Sequence, residues 1–223
     1  MTEVAELYRA GRERISEMVR DADVNVTVPA CPEWTVRELV SHLSGVCADI
    51  INGRLDGVAT NPWTKRQVDE RRDWSMSKIL EEWDDYGPKC EAICHNFGGA
   101  EVQWLADLTT HEHDICGALG IPGARDVEAV RLGFEWLANR IGEIARERGL
   151  PALRIRTHEG DDVVSGDGTP EATVNGSRFD LFRTMTGRRS VEQIDELEWD
   201  GDRGGYFEGE WGPFHAAESR IVE

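Results

Sequence analysis

Three side chains of this 223-residue chain can do chemistry together: His42, Asp107 and His111. Asp107 and His111 stand four residues apart, so on a helix they share one face. His42 falls in another helical stretch, about 40° outside an apolar stripe at the angular step of an α-helix. Two imidazoles and a carboxylate from two helices can bind a divalent metal and leave a position open for water or substrate. Helical bundles build such sites between facing helices. The competing reading is plain: D-x-x-x-H is also the spacing of an ordinary helix-surface pair, and boundary histidines need no metal. Asp114 stands one turn further along the face of Asp107 and His111, while His113 points elsewhere. Glu112 falls where its stripe calls for an apolar side chain. The expectation is that the helix rotates slightly and Glu112 reaches solvent; the alternative is a partner to a metal ligand.

The elements that must position these residues are mostly helical. Val4, Leu7, Tyr8, Ile15, Met18 and Val19 recur at helical spacing and define a first amphipathic helix. The stretch Val24–Pro32 reads as a loop. Thr35 and Glu38 form a T-x-x-E capping box that opens a second helix, striped by Val36, Leu39, Val40, Leu43, Val46, Cys47 and Ile50. Residues 51–63 read as a loop. A helical region over about 64–96 follows, with a break near Ser75 and strain at Gly87-Pro88. Helices over about 101–119, ending at Gly120, and 126–148 complete this part. After Pro151 the pattern changes. Residues 153–157 alternate as a strand, His158–Pro170 reads as an acidic, Gly-rich turn or mobile loop, and 171–174 as a second strand. Short helices are expected near 179–185 and 191–197. The predicted organisation is therefore a helical bundle over 1–149 and a small α/β domain over 150–223.

A formal net charge of -18 repels phosphate backbones and anionic bilayers, which argues against nucleic-acid and membrane partners. No apolar run has membrane-spanning length, and the N-terminal residues lack the apolar core of a secretory signal; a cytoplasmic location is expected. Five cysteines without such a signal argue against a disulfide framework. Cys90, Cys94 and His95 lie close on one helix, but buried thiols are the expectation there.

Several segments resemble one family. Cys31-Pro32-Glu33-Trp34-Thr35-Val36-Arg37-Glu38-Leu39-Val40-Ser41-His42-Leu43 is similar to the opening signature of the mycothiol-dependent maleylpyruvate isomerase family, within the DinB-like metal-binding superfamily. His111-Glu112-His113-Asp114-Ile115 with Ala118-Leu119-Gly120 resembles its second signature. Thr186-Gly187-Arg188-Arg189-Ser190 and Trp199-Asp200-Gly201-Asp202 resemble its small second domain. The resemblance implies an α+β protein, with a DinB-like antiparallel four-helix bundle followed by a small C-terminal α/β domain. It implies a divalent metal, usually zinc, on His42, His111 and a carboxylate. The family's carboxylate is usually Glu; here the position is Asp107, one methylene shorter.

The implied chemistry is that of a mycothiol-like thiol acting on a small-molecule electrophile. A coordinated thiol is deprotonated, and the thiolate is the nucleophile. Addition to an activated double bond, rotation and departure give isomerisation; retention gives S-transfer. Asp114 is the candidate to orient His111. Arg188 is a candidate for a substrate carboxylate and Arg189 for the cofactor, through their forked donors; the alternative is a pair of exposed arginines on an acidic surface. Two other functions stay open: a hydrolase in which the same metal activates water, and a binding module that kept the fold without catalysis.

Overall fold

The structure is a computed structural model that describes residues 3–211 and 214–223. Its contacts divide the chain into two compact units, one running up to Gly123 and including Glu223, the other Ala124–Val222. The expected boundary at 149/150 is therefore displaced by one helix. No helix among the described residues is long and apolar enough to cross a membrane.

The first unit is built on helices α1 (Glu3–Arg20), α2 (Val36–Ile51), α3 (Asn61–Glu70), α4 (Met76–Ile93) and α5 (Glu101–Leu119). Four of them form the bundle: α2 packs on α4 and α5, and α1 packs on α4 and α5. The short α3 lies along α2. Helix α2 is the central element. Its capping box forms as the sequence predicts: the Thr35 hydroxyl accepts from the Glu38 amide at 3.3 Å, and Glu38 accepts from the Thr35 amide at 2.8 Å. It is buried well beyond its apolar stripe, with Ser41, His42, Ser44 and Asp49 all inside.

The helical region expected over 64–96 divides as anticipated near Ser75, whose side chain caps α4. Helix α4 continues through Pro88. Residue 87 has no side chain to block Arg12 of α1: a Cβ there would lie 2.7 Å from Arg12 Cδ. Arg12 crosses at this point to bond Asp84 at 2.8 Å and Glu91 at 3.1 Å. The supposed loop Val24–Pro32 instead contains part of a hairpin, β1 (Thr27–Val28) and β2 (Cys31–Thr35). Its prolines and short length hid it from an alternation test. The hairpin delivers Trp34 and Cys31 to the entrance of α2.

The second unit pairs helix α6 (Glu128–Glu147) with a mixed four-stranded sheet. The strands are β3 (Leu153–Thr157), β4 (Asp162–Ser165), β5 (Ala172–Gly176) and β6 (Glu198–Asp200), in the order β4-β3-β5-β6. β3 runs parallel to β5 and antiparallel to β4; β6 is antiparallel to β5. Helices α7 (Arg178–Met185) and α8 (Val191–Asp195) and the pair β7 (Glu210–Trp211) and β8 (Phe214–His215) complete it. Phe134, Leu137 and Ile141 of α6 share one apolar core with Leu153, Val174 and Phe182. That core is why α6 belongs here and not to the bundle. β4 lies within the stretch read as a mobile loop; its pairing with β3, not its acidic flanks, decides its state.

Glu112 corrects a second expectation. It is buried, 2% exposed, and does not reach solvent. Arg14 of α1 meets it with two parallel bonds, Nε to Oε1 at 2.6 Å and Nη2 to Oε2 at 2.8 Å. The pairing holds the Arg14 guanidinium above its usual value, chiefly through the hydrogen bond. Removing one partner strands a buried charge, whereas replacing both by apolar groups does not. Arg14→Ala should cost about 1–3 kcal/mol in urea denaturation, and Arg14→Met with Glu112→Leu should recover most of that loss.

Candidate metal centre

Helices α2 and α5 bring His42, Asp107 and His111 together. One donor atom from each lies within 4.8 Å of the others. Asp107 stands between the rings: Oδ2 is 3.5 Å from His42 Nε2, and Oδ1 is 3.6 Å from His111 Nε2. The two imidazoles meet edge to face, with centroids 5.4 Å apart. Both histidines are buried, while the Asp107 side chain is 37% exposed. Access to the cluster is therefore from the Asp107 side.

The second nitrogen of each ring is also engaged. His111 Nδ1 lies 2.9 Å from Asp114 Oδ2. Asp114 is buried, so it holds the ring with Nε2 turned toward Asp107. His42 Nδ1 lies 2.7 Å from Gln67 Oε1. The half-buried Trp34 sits over both rings, at 5.5 Å from His42 and 6.3 Å from His111.

Cys31 approaches from β2 and donates to Asp114 Oδ2 at 3.7 Å. Cys31, His111 and Asp114 are also close enough to be a donor set. The Asp114 oxygen nearest the thiol is the one already bonded to His111, so this group reads as support for the His111 ring. Gln67, Trp34 and Cys31 carried no spacing signal. Trp34 and Cys31 lie in the opening signature but reach the site through the hairpin; Gln67 reaches it through the separate helix α3.

The remaining candidates fall elsewhere. Cys90 and Cys94 are buried and, with His95, belong to no donor cluster among the described residues. His113 is buried on α5. Arg188 and Arg189 lie in the second unit and are buried, which removes the exposed-pair alternative. Arg188 Nη1 donates to the Thr186 carbonyl at 2.5 Å. Arg189 bonds the Arg188 carbonyl and Asp180, both at 2.8 Å.

A helical bundle carrying two histidines and a carboxylate on facing helices defines the class: a bundle protein with a candidate divalent-metal site, joined to a small mixed-sheet unit. Residues 5–106 match the model of the mycothiol maleylpyruvate isomerase N-terminal domain. The match includes His42 and ends one residue before Asp107. Two solved structures are similar over 95% of this chain and 95% of their own: the mycothiol-dependent maleylpyruvate isomerase, at a TM-score of 0.60, and a histidine-to-alanine variant of it, at 0.59. Each is 13% identical to this chain, so the likeness is one of fold. No curated protein sequence matches.

Burial alone pushes the His42 imidazolium down, but the hydrogen bond and charge of Asp107, with Gln67, outweigh it and raise His42 above the ordinary histidine value. A raised folded-state value contributes stability at low pH that is lost as pH rises through it. Metal-free protein should therefore lose stability as pH rises from about 6.5, the ordinary histidine value, through the raised His42 value. Asp107→Asn should flatten that slope, as followed by chemical denaturation in chelator across the histidine range.

Proposed function

We propose that the chain is a metal-dependent isomerase that uses a low-molecular-weight thiol of the mycothiol type on a small electrophile with an activated double bond. The observation that carries this reading is the convergence of His42, Asp107 and His111 within 4.8 Å in a bundle of the maleylpyruvate isomerase kind. Their chemistry suits zinc: two imidazole nitrogens and a carboxylate oxygen, with a fourth position left for a ligand. Their spacing suits it too. Asp107 to imidazole separations of 3.5 and 3.6 Å are close to the edge of about 3.3 Å expected of a tetrahedral zinc set. When bound, the ion would supply charge that favours a thiolate over a thiol.

The chain's own residues have distinct tasks. His42 and His111 present Nε2 to the cluster. Asp114 accepts the His111 Nδ1 hydrogen and keeps that ring from turning. Trp34 packs beside both imidazoles. Asp107 closes the set on the exposed side, where a small thiol and electrophile can enter. Arg188 and Arg189 are buried in the second unit, where their contacts include Asp180 and backbone carbonyls.

The test is elemental analysis followed by an assay with maleylpyruvate, with and without mycothiol. The expected result is about one zinc per chain and turnover that needs both metal and thiol. His42→Ala should weaken zinc by more than the roughly 10–100-fold typical of losing an outer-shell partner, and should abolish turnover. Turnover that needs metal but no thiol would replace this reading with a hydrolase. A protein that cannot be loaded with metal would leave a binding module.

A further inference from the structure

A line of contacts runs from His42 away from the donor cluster and ends at a buried carboxylate. Asp49 of α2 is wholly buried. Two guanidinium groups bracket it: Arg54 Nη2 lies 2.7 Å from Oδ1, and Arg66 Nη2 lies 2.9 Å from Oδ2. A carboxylate so placed accepts hydrogen bonds and offers none. Gln67 of α3, also wholly buried, places Nε2 2.9 Å from Asp49 Oδ2.

That contact decides the orientation of the amide. Gln67 can meet Asp49 only through its NH2, so its carbonyl oxygen is turned to the other side, 2.7 Å from His42 Nδ1. A carbonyl only accepts, so His42 Nδ1 must carry the hydrogen. In the neutral ring Nε2 is then the nitrogen that carries the lone pair, and Nε2 is the atom that faces Asp107.

The backbone is arranged to permit this. A Cβ at Gly45 would lie 2.6 Å from Gln67 Cβ and 2.8 Å from its Cγ, so α3 reaches its position only because residue 45 has no side chain. Arg71, just past the end of α3, donates to the Gln67 backbone carbonyl at 2.8 Å and to Glu82 at 2.9 Å. It fixes the helix from the opposite side.

We propose that Gln67 is a positioning residue: aligned by Asp49, it fixes His42 in the tautomer that offers Nε2 to a metal shared with Asp107 and His111. The proposal rests on reading that cluster as a metal site. It gives α3, which supplies no ligand, a specific task. It also makes the two histidines equivalent in logic, with Asp114 serving His111 and the Asp49–Gln67 pair serving His42.

Two measurements on the full chain test it. Zinc affinity is measured by competition with a chelator, and the His42 tautomer by long-range proton–nitrogen NMR on metal-free protein at a pH above the raised His42 value, where the ring is neutral. Gln67→Met keeps much of the shape and removes both hydrogen bonds. It should bind zinc roughly 10–100-fold more weakly and turn the single Nδ1–H state of His42 into a mixture. Gly45→Ala, which touches no ligand, should move both readouts the same way. Asp49→Asn can face the amide with either end and should also yield mixed tautomers, so it carries the test if Gln67→Met does not fold. A folded Gln67→Met with wild-type affinity and an unchanged His42 tautomer overturns the proposal. Wild-type protein that takes up no zinc ends the metal reading itself, and the tautomer measurement, which needs no metal, still decides whether Gln67 sets the ring.

Discussion

Six consecutive residues of α5, Thr109 to Asp114, are polar, and all six are buried. Buried polar groups must be paired or they cost the full desolvation of each group, and the rest of the first unit is organised by that demand. Thr109 returns its hydroxyl to the Leu105 carbonyl at 2.8 Å. Glu112 draws Arg14 across from α1. His111 is satisfied by Asp114 on one edge and faces Asp107 on the other. These directed contacts fix the rotation of α5 against its neighbours more tightly than its apolar residues would, because a turn of a few tens of degrees would strand several charged groups at once.

The same logic runs through α2. A helix carrying Ser41, His42, Ser44 and Asp49 at buried positions is not a simple amphipathic stripe, and its neighbours α3 and α4 answer with polar side chains. Glu82 of α4 accepts from Ser44 at 2.6 Å and pairs with Arg71. Arg66 and Gln67 of α3 both reach Asp49. Polar interiors of this kind depart from the pattern that a bundle needs merely to fold, and such departures concentrate at functional sites. The two departures, on α2 and α5, meet at the donor cluster.

What could be read from the sequence was whatever depends on local rules. The T-x-x-E cap of α2, the stop at Gly120, the break at Ser75 and the i, i+4 placement of Asp107 and His111 all follow from short-range geometry. Features set by distant partners were not legible. Glu112 looked like a solvated residue because Arg14, its partner, lies 98 positions away. Strand β4 looked like a loop because its partner β3, not its own composition, orders it. Helix α6 carries an apolar face that fits a bundle as well as a sheet, and only the core it joins reveals its unit. Gln67 has no motif at all; its part depends on Gly45 and Asp49 on another helix.

The shorter carboxylate at 107 is the residue that most tests the relation between family and chemistry. The match to the family model ends before it, and a fold shared at 13% identity does not carry a reaction with it. Whether the three donors can act as one set therefore turns on their distances. Asp107 lies nearly equidistant from the two Nε2 atoms, at 3.5 and 3.6 Å, so the missing methylene has not withdrawn the carboxylate from either ring. Both rings, moreover, have their remaining nitrogen engaged by groups that do nothing else for the bundle's apolar core. Two buried histidines serving only as packing would still need partners for their ring nitrogens, but not one part-exposed carboxylate shared between them. The shared carboxylate, more than the partners behind the rings, is the feature on which the proposed metal site rests.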